Sequence, residues 1–375
     1  MNIRKIVFLS LIISCLCITS VSCSEREVSV QQPQNELSDA NYSWQWGSSE
    51  WETMVRKEVE GKTLKIGFTS PAASEFYDIV MHGAYTMMNE IHDRFGVDFE
   101  FEYFAPGDHS SVNSQIEAIN NWVINDFDAV LVCTGGEFGA MNEIYESAAR
   151  HGTSVYLFNM PAELWNEDEI AAESVITYNM SDQAGRMVGE YAADVLGGEG
   201  KILFISGSDG HWTQARIEGF LNSISKYPGL EVVSEARGEY VRDAGMEAAE
   251  KLLQTNPDAD LIYAENEEMG QGAVQAIKSM NLKLWDGEEG IIVIALDGLL
   301  SGYEQIRMGD SLTATVDVGH VDMGREAIKS VFLKELLGYE LDKVQIVPCL
   351  MVDRTNVDIP EAYAKWAMET EPAFN

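Results

Sequence analysis

The stretch Ala264-Glu265-Asn266-Glu267-Glu268-Met269 follows a short apolar run, and Leu296-Asp297-Gly298 follows a second one farther along the chain. The runs themselves, Leu261-Ile262-Tyr263 and Ile291-Ile292-Val293-Ile294-Ala295, are typical of parallel strands that are covered on both faces. In open α/β sheets, ligands bind beyond the carboxyl ends of such strands. Asn266 and Asp297 are therefore predicted to face one crevice, where an amide and a carboxylate suit a ligand rich in hydroxyl groups.

Similar apolar runs alternate with amphipathic helical patterns from Gly61 onward. The predicted strands are Leu64–Phe68, Phe99–Phe104, Ala129–Cys133, Ser154–Phe158, Val175–Tyr178, Ile202–Ile205, Glu231–Ser234, Leu261–Ala264, Ile291–Ala295 and Thr313–Val318. Such alternation is typical of doubly wound parallel sheets. Because these strands are too many for one tidy open sheet in a chain of 375 residues, an α/β fold with two lobes is predicted.

The first residues of the chain are typical of an export signal. Arg4 and Lys5 precede an apolar segment, Ile6 to Ile18, of about a dozen residues, which is too short to span a bilayer as a helix. Ser20-Val21-Ser22-Cys23 is similar to a lipobox, although Ser20 stands where leucine is usual. We expect residues 1–22 to be a signal peptide and Cys23 to be lipidated, with ordinary secretion as the alternative.

Residues 23–62 are predicted to form a lipid-anchored tether followed by an aromatic extension. Residues 24–40 are polar and rich in Gln, Ser and Glu, a composition that favours a tether. The four aromatic residues Tyr42, Trp44, Trp46 and Trp51 then follow in close succession. They either dock on the folded body or belong to a linker without fixed structure.

The charge and the cysteines exclude several classes of protein. The formal net charge is −36, from 61 acidic against 25 basic residues, so the clustered cations that nucleic-acid binding requires are missing. Such acidity fits either a solvated surface in a salty medium or plain solubility. After export and lipidation, Cys133 and Cys349 remain, and both are predicted to be small buried residues rather than a disulfide framework.

The carboxyl ends of the predicted strands collect aromatic, amide and charged side chains. The candidate ligand-binding residues are Ser74, Phe76, Tyr77, Asn159, Trp165, Arg216, Tyr240, Asn266 and Asp297. Aromatic rings stack on the apolar face of a sugar, and planar polar groups bind its hydroxyl edge. Structural interpretations stay open: helix capping for Asp297, a solvated position for Arg216, and core packing for Phe76 or Tyr77. Tyr240 also fits an ordinary loop position, and Trp165 and Trp212 each fit a ligand wall and the lobe surface equally well.

From about Thr63 to Val352, the chain resembles the type I periplasmic binding proteins of the ribose/galactose-binding superfamily. The motifs that carry the resemblance are Glu75-Phe76-Tyr77, Gln214-Ala215-Arg216-Ile217-Glu218-Gly219-Phe220, Ala264 to Met269, and Leu296-Asp297-Gly298. The ribose-binding pattern implies ligand roles for Ser74, Phe76, Tyr77, Arg216, Tyr240, Asn266 and Asp297. The family's Asp-Arg pair is Asn159-Met160 here, and its glutamine at the last crossover is Val318, and both departures weaken the case for ribose itself.

The chain is also similar to autoinducer-2 receptors. These share an N-terminal extension with aromatic residues, an asparagine at the position of Asn159 and a tryptophan like Trp165. Their Trp and Arg near the last two strands are Leu296 and Val318 here, whereas Asn266 and Asp297 follow the sugar-binding pattern. The candidate site is therefore a hybrid of the two patterns.

The resemblance implies two doubly wound parallel-sheet lobes joined by a three-strand hinge. The expected first lobe comprises residues 63–176 and 320–346, and the second comprises residues 177–319 and 347–355. Residues 356–375 are expected to be a C-terminal tail. A ligand that contacts both lobes would favour the closed form by its differential affinity.

Three functions stay open. The leading hypothesis is a monomeric lipoprotein of the periplasm or cell envelope, without a cofactor, that captures a small sugar or polyol for an ABC importer. The alternative is a sensory receptor that presents a bound sugar or furanose to a membrane histidine kinase, which the aromatic extension favours. An enzyme is disfavoured because catalytic motifs are missing, and Asp317, His320 and Asp322 lack the spacing of metal ligands. The export signal and the lack of a basic helix-turn-helix exclude a DNA-binding repressor.

Overall fold

The computed structural model describes residues 46–106, 112–134, 141–162, 170–309 and 311–374. The predicted signal peptide, Cys23, Tyr42, Trp44 and Trp165 lie outside the described residues. Within the described ranges, none of the helices combines the length and the hydropathy that crossing a bilayer requires.

Strands and helices alternate along the described chain, as the sequence predicts. The strands are β1 (Thr63–Thr69), β2 (Asp98–Phe104), β3 (Ala129–Val132), β4 (Ser154–Phe158), β5 (Ser174–Tyr178), β6 (Glu199–Ser206), β7 (Gly229–Arg237), β8 (Leu261–Ala264), β9 (Ile292–Asp297), β10 (Ala314–Asp317), β11 (Val344–Val347) and β12 (Leu350–Asp353). The helices are α1 (Ser49–Val59), α2 (Glu75–Phe95), α3 (Val112–Ile124), α4 (Asn142–His151), α5 (Arg186–Val195), α6 (His211–Ile224), α7 (Arg242–Thr255), α8 (Glu267–Ser279), α9 (Leu300–Met308), α10 (His320–Val331) and α11 (Asp358–Met368). Short π-helical segments, Met180–Gly185 and Phe332–Leu336, adjoin α5 and α10.

The described strands form two six-stranded sheets, which define a first and a second lobe. The first sheet has the order β11-β5-β4-β3-β1-β2, and the second has the order β12-β10-β9-β8-β6-β7. All neighbours in the first sheet run parallel, whereas β12 is antiparallel to β10 in the second. Strands β3, β5 and β8 are buried along their whole length, as parallel strands between two helical layers require. The predicted α/β fold with two doubly wound lobes is confirmed.

The chain passes between the lobes after β5, after β10, and between β11 and β12. The boundaries expected after residues 176 and 346 fall inside strands, because β5 pairs with β11 through Thr177↔Ile346 and Tyr178↔Val347. The first lobe therefore extends to Tyr178 and to Val347. The apolar pattern runs on through both strand ends, so it does not mark the residue at which the backbone leaves the sheet.

The C-terminal residues that the sequence leaves as a tail contain helix α11. Tyr363 on this helix donates a hydrogen bond to Asp322 Oδ1 on α10 at 2.7 Å. Arg307 Nε on α9 donates to Glu361 Oε2 at 3.0 Å. Helix α11 thus contacts both lobes. Its buried residues are Pro360, Glu361, Ala364 and Ala367.

The described part of the aromatic extension, with Trp46 and Trp51, packs on the first lobe. The ring of Trp46 lies edge-on to Phe95 and Phe332, with centroids 5.1 Å and 5.9 Å away. Its Nε1 donates a hydrogen bond to Glu90 Oε1 at 2.6 Å. Trp51 on α1 also lies edge-on to Phe95, at 5.9 Å. For these two tryptophans the structure has the docked arrangement rather than a linker without fixed structure.

Helices α2 and α10 pack closely because each presents a glycine to the backbone of the other. A methyl group at Gly83 would overlap the backbone of Val321, and one at Gly324 would overlap the carbonyl oxygen of Val80. Helix α2 carries Phe76 and Tyr77 of the candidate site at its N-terminal end, so this contact fixes their position relative to the start of α10.

We expect Gly324→Ala to lower the melting temperature of the protein. Alanine is the better helix former, yet overpacking at this contact costs about 1–3 kcal/mol. Asn120→Ala, on the exposed face of α3, serves as the control and is expected to change stability by under about 0.5 kcal/mol. Calorimetry that finds Gly324→Ala as stable as the wild type would show that the helices have room to separate.

Candidate functional site

Asp297 ends strand β9 in the second lobe and has an unusual backbone conformation. Its φ is 142°, and Gly298 follows with a φ of 85°. Positive φ is rare for residues other than glycine, and such strain persists only where surrounding contacts maintain it. The side chain is 5% exposed, and its Oδ2 accepts a hydrogen bond from the backbone N–H of Glu267 at 3.3 Å. The carboxyl group is therefore held at the sheet edge that the sequence predicts.

Glu267 fixes the turn that follows Asp297, a role that the sequence pattern does not reveal. Its Oε1 accepts hydrogen bonds from the backbone N–H groups of Gly298 at 2.9 Å and Leu299 at 3.1 Å. The same oxygen accepts from Thr315 Oγ1 at 2.6 Å. The side chain is fully buried. The available sequence signal is an acidic residue directly after Asn266.

Asn266 caps helix α8 and also holds a neighbouring loop. Its Oδ1 accepts a hydrogen bond from the backbone N–H of Met269 at 3.0 Å. Its Nδ2 donates to the carbonyl oxygen of Tyr240 at 3.2 Å. Both ends of the amide therefore support the structure, and one amide hydrogen remains for the ligand role that the sequence predicts.

Arg216 on α6 is buried, being 4% exposed, so the solvated position that the sequence left open is wrong. Its Nη1 donates to the Glu265 carbonyl oxygen at 3.1 Å, and its Nε donates to the Tyr178 hydroxyl at 3.1 Å. The ring of Tyr240 lies 5.9 Å from the guanidinium carbon, and its hydroxyl is 2.5 Å from Thr213 Oγ1. Because Tyr178 ends β5, Arg216 joins the lobes where the chain first crosses between them.

Tyr77 and Asn159 lie together in the first lobe, where both contact Cys133. The Tyr77 hydroxyl is 3.6 Å from Cys133 Sγ, and Asn159 Nδ2 is 3.9 Å from the same sulfur. Burial raises the pKa of the Cys133 thiol to about 12, so the thiol stays neutral. Asn159 has a φ of 52°, and its buried Oδ1 has no hydrogen-bond partner within the described part of the chain.

Phe76 and Ser74 lie at the beginning of α2. The half-buried ring of Phe76 is edge-on to Tyr77 at 5.0 Å and to His320 at 4.3 Å. Ser74 directly precedes the helix, and its hydroxyl makes no capping hydrogen bond. Phe76 therefore continues the edge of the first lobe towards the hinge, where His320 begins α10.

Two side chains bridge the lobes beside these residues. Glu75 on α2 accepts hydrogen bonds from Ser301 on α9, from the backbone N–H at 2.8 Å and from Oγ at 2.7 Å. Trp212 Nε1 on α6 donates to the Asn159 carbonyl oxygen at 2.9 Å. Trp212, for which the sequence allows a ligand wall or the lobe surface, thus contacts the opposite lobe. The two strand-end edges are closed on one another in this structure.

The predicted residues fall into two groups at these edges. Arg216, Tyr240, Asn266 and Asp297 lie at the edge of the second lobe, and Phe76, Tyr77 and Asn159 lie at the edge of the first. Burial, with smaller contributions from Cys133 and Asp297, raises the pKa of Tyr77 well above its ordinary value, so the groups interact electrostatically. Ser74 directly precedes α2 without a side-chain capping hydrogen bond, and Trp165 lies outside the described residues.

Buried carboxyl groups dominate the charge of the site. Burial raises the pKa of Asp297 to about 6, although Arg216 and His320 oppose the shift. Burial likewise raises the pKa of Glu265 to about 7, and that of Glu267 well above its ordinary value, with Asp297 adding to the effect. Two of these carboxyl groups, Asp297 and Glu265, interact electrostatically with the single guanidinium of Arg216, so its charge is already matched by protein groups, which disfavours an anionic ligand.

Metal binding receives no support from the geometry. Within the described ranges, no three His, Cys, Asp or Glu side chains lie close enough together to hold an ion. Asp317 Oδ1 accepts a hydrogen bond from the backbone N–H of Gly319 at 2.8 Å.

Cys133 and Cys349 are buried and unpaired, which confirms the prediction made for both.

The model of the family described as periplasmic binding protein domain matches residues 66–335. The chain belongs to the periplasmic binding protein family. This confirms the family that the motifs around Phe76, Arg216, Asn266 and Asp297 predict.

Curated members of the periplasmic binding protein family match part of the chain. The xylitol-binding protein of Mycolicibacterium smegmatis is 26% identical over 178 residues, which cover 47% of this chain and 49% of that protein. The ribose import binding protein of Bacillus subtilis is 29% identical over 213 residues, which cover 56% of this chain and 63% of that protein. The chain thus matches about half of the first relative and under two thirds of the second.

Solved structures of sugar-binding proteins share the two-lobed fold. The periplasmic binding protein of the arabinose ABC transporter from a Shewanella species, bound to arabinofuranose, has a TM-score of 0.69 and 21% identity, covering 83% of this chain and 100% of that one. A galactofuranose binding protein has a TM-score of 0.69 and 18% identity, covering 81% of this chain and 99% of that one. The fold is that of a type I periplasmic binding protein.

We expect the stability of the ligand-free protein to fall as the pH rises from about 4 to about 7. Asp297 and Glu265 have folded-state pKa values of about 6 and about 7, above the ordinary values near 4, so the folded state binds more protons than the unfolded chain in this window. Asp297→Asn cannot ionise and should show a smaller loss of melting temperature between pH 5 and pH 7.5.

The matched control for this measurement is Asp194→Asn, which changes an exposed carboxylate in the same lobe. It should lose as much stability over the pH window as the wild type. Calorimetric curves that coincide for the wild type and Asp297→Asn at every pH would contradict the buried, pKa-raised state of Asp297.

Proposed function

We propose that this protein is exported and captures a small, uncharged sugar or polyol between its two lobes for delivery to an ABC importer. The proposal rests on one observation: the site residues at the strand-end edge of one lobe face those at the edge of the other lobe. Arg216 and Asp297 belong to one edge, Tyr77 and Asn159 belong to the other, and the Trp212–Asn159 hydrogen bond joins the edges at 2.9 Å. A ligand between them would contact both lobes.

The chemistry of the two edges fits a polyhydroxylated ligand. Hydroxyl groups both donate and accept hydrogen bonds, so they suit the carboxyl of Asp297, the guanidinium of Arg216 and the unpartnered Oδ1 of Asn159. The ring of Phe76 is half-buried and supplies an apolar face for stacking. An anionic ligand would meet the buried carboxyl groups, so a neutral one is favoured.

The relatives support this ligand class through their names. They include binding proteins for xylitol and D-allose and import binding proteins for ribose and D-apiose. Solved structures of the same fold contain bound arabinofuranose and myo-inositol. These compounds share a small size, several hydroxyl groups and the lack of charge.

Closure of the lobes is the step that we propose a permease detects. The hydrogen bonds from Ser301 to Glu75 and from Trp212 to Asn159 exist only when the lobes are together. A ligand that bridges the edges adds to these contacts and shifts the population further towards the closed form. Family membership supports binding rather than turnover as the outcome of closure.

The sensory alternative gains no support from the aromatic extension. Trp46 and Trp51 pack on Phe95 of their own lobe, so contacts within the first lobe account for these two side chains without a kinase. We therefore place the importer function first.

A monomer is proposed because each lobe edge already faces its counterpart within one chain.

The ligand-binding role predicts a specific loss in Asp297→Asn. A thermal-shift screen of D-ribose, L-arabinose, D-allose, xylitol and myo-inositol identifies the tightest probe, and titration calorimetry then measures its Kd. Because a hydrogen bond to a charged group contributes about 1.5–3 kcal/mol, we expect the affinity of Asp297→Asn to fall by about tenfold to a hundredfold at pH 7.5. Asp194→Asn should bind like the wild type.

Two results would count against this function. If no sugar or polyol stabilises the wild-type protein, the ligand class is wrong. If a probe binds but Asp297→Asn retains full affinity, the strand-end groups are not where it binds.

We further propose that Cys23 is lipidated after removal of residues 1–22, which places the folded lobes outside the cytoplasm at a membrane surface. The lipobox-like Ser20-Val21-Ser22-Cys23 motif is the support for this anchor. Cys23→Ser should move the protein from the membrane fraction to the soluble extract of the expressing cells, while sugar binding stays unchanged. Equal membrane association of both forms would favour ordinary secretion or another anchor.

A further inference from the structure

His320 begins helix α10 where the chain passes from the second lobe to the first. It follows Gly319, whose φ of 78° turns the backbone at this crossing. The side chain is 2% exposed, and its ring lies edge-on to Phe76 with the centroids 4.3 Å apart. An imidazole therefore lies at the hinge, directly against an aromatic residue of the candidate site.

The nitrogens of this imidazole are not satisfied by the neighbouring side chains. Nδ1 is 3.8 Å from Asp317 Oδ1, which is too far for a hydrogen bond, and that oxygen already accepts from the Gly319 N–H. Nε2 is buried and has no hydrogen-bond partner among the residues that the structure describes. A buried polar atom without a hydrogen-bond partner costs free energy, so Nε2 is available to a polar group of a ligand.

The groups around His320 belong to the candidate site. Burial raises the pKa of Asp297, and Arg216 and His320 oppose this shift, which places the imidazole within electrostatic reach of that carboxyl. On the other side, Phe76 connects His320 to Tyr77 through ring contacts of 4.3 Å and 5.0 Å. His320 is thus positioned between the carboxyl of the second lobe and the aromatic edge of the first.

We propose that His320 Nε2 forms a hydrogen bond with one particular hydroxyl of the bound sugar or polyol and thereby selects among hydroxyl patterns. This inference rests on the proposed function and adds a specificity-determining residue that the family motifs do not contain. A hydroxyl suits a ring nitrogen with or without a proton, because it can accept from an N–H group and donate to a bare nitrogen. A ligand that lacks this hydroxyl leaves Nε2 unpaired in a buried site, the situation in which binding sites discriminate most strongly.

Titration calorimetry with deoxy sugars tests this inference. The wild type is screened against D-ribose, L-arabinose, D-allose, xylitol and myo-inositol, and the monodeoxy analogues of the tightest probe are then titrated. We expect one analogue to bind at least tenfold more weakly than its parent. His320→Leu should bind the parent at least tenfold more weakly and should no longer distinguish it from that one analogue, while discrimination at the other hydroxyl positions remains.

Two further variants make the result decisive. His320→Gln keeps a hydrogen-bonding group and should retain part of the discrimination, and it carries the test if His320→Leu does not fold. His151→Leu, which changes an exposed histidine at the end of α4, should behave like the wild type.

The outcomes separate this inference from the proposed function. If the His320 variants lose affinity equally for the parent and all analogues, with discrimination intact, His320 acts through packing and the inference fails while sugar binding stands. Unchanged affinity and selectivity in these variants would overturn it as well. If no probe binds the wild type, the proposed function fails and this inference fails with it.

Discussion

The hydrogen bonds accepted by Glu267 are the interaction on which the second-lobe edge depends. One buried carboxyl oxygen holds the N–H groups of Gly298 and Leu299 together with the hydroxyl of Thr315. These contacts maintain the positive φ of Asp297, a conformation that an unsupported aspartate would leave. A methyl group at Gly302 would overlap the Glu267 carboxyl, so the packing around it is as specific as its hydrogen bonds.

Arg216 extends this support from one lobe to the other. Its guanidinium contacts the Glu265 carbonyl oxygen at the end of β8 and the Tyr178 hydroxyl at the end of β5. The polar groups of both edges are therefore pre-arranged before any ligand is considered, which lowers the ordering cost of binding. The hydrogen bonds of Glu75 and Trp212 add contacts that depend on closure itself.

The sequence predicts the fold well because the patterns that specify it lie within short stretches of the chain. Continuous apolar runs such as Leu261–Ala264 specify buried parallel strands, and polar residues at their ends mark the crevice, so Asp297 and Arg216 could be selected without a structure. The role of a side chain whose contact partner is far away in the sequence cannot be predicted in this way. Glu267 acts on a loop about 30 residues away, Glu75 binds Ser301 in the other lobe, and His320 meets Phe76 only after α2 and α10 pack. Helix α11, which lies in the expected C-terminal tail, likewise gains its contacts to Asp322 and Arg307 only in the folded chain.

A crystal structure with the tightest-binding sugar or polyol tests the proposed site most directly. We expect the ligand to lie between the two lobes, with its hydroxyl groups within about 3.2 Å of the Asp297 carboxyl and the Arg216 guanidinium, and with an apolar face against Phe76. A ligand bound on the outer surface of either lobe, with Asp297 and Arg216 bonded only to protein groups, would contradict this assignment.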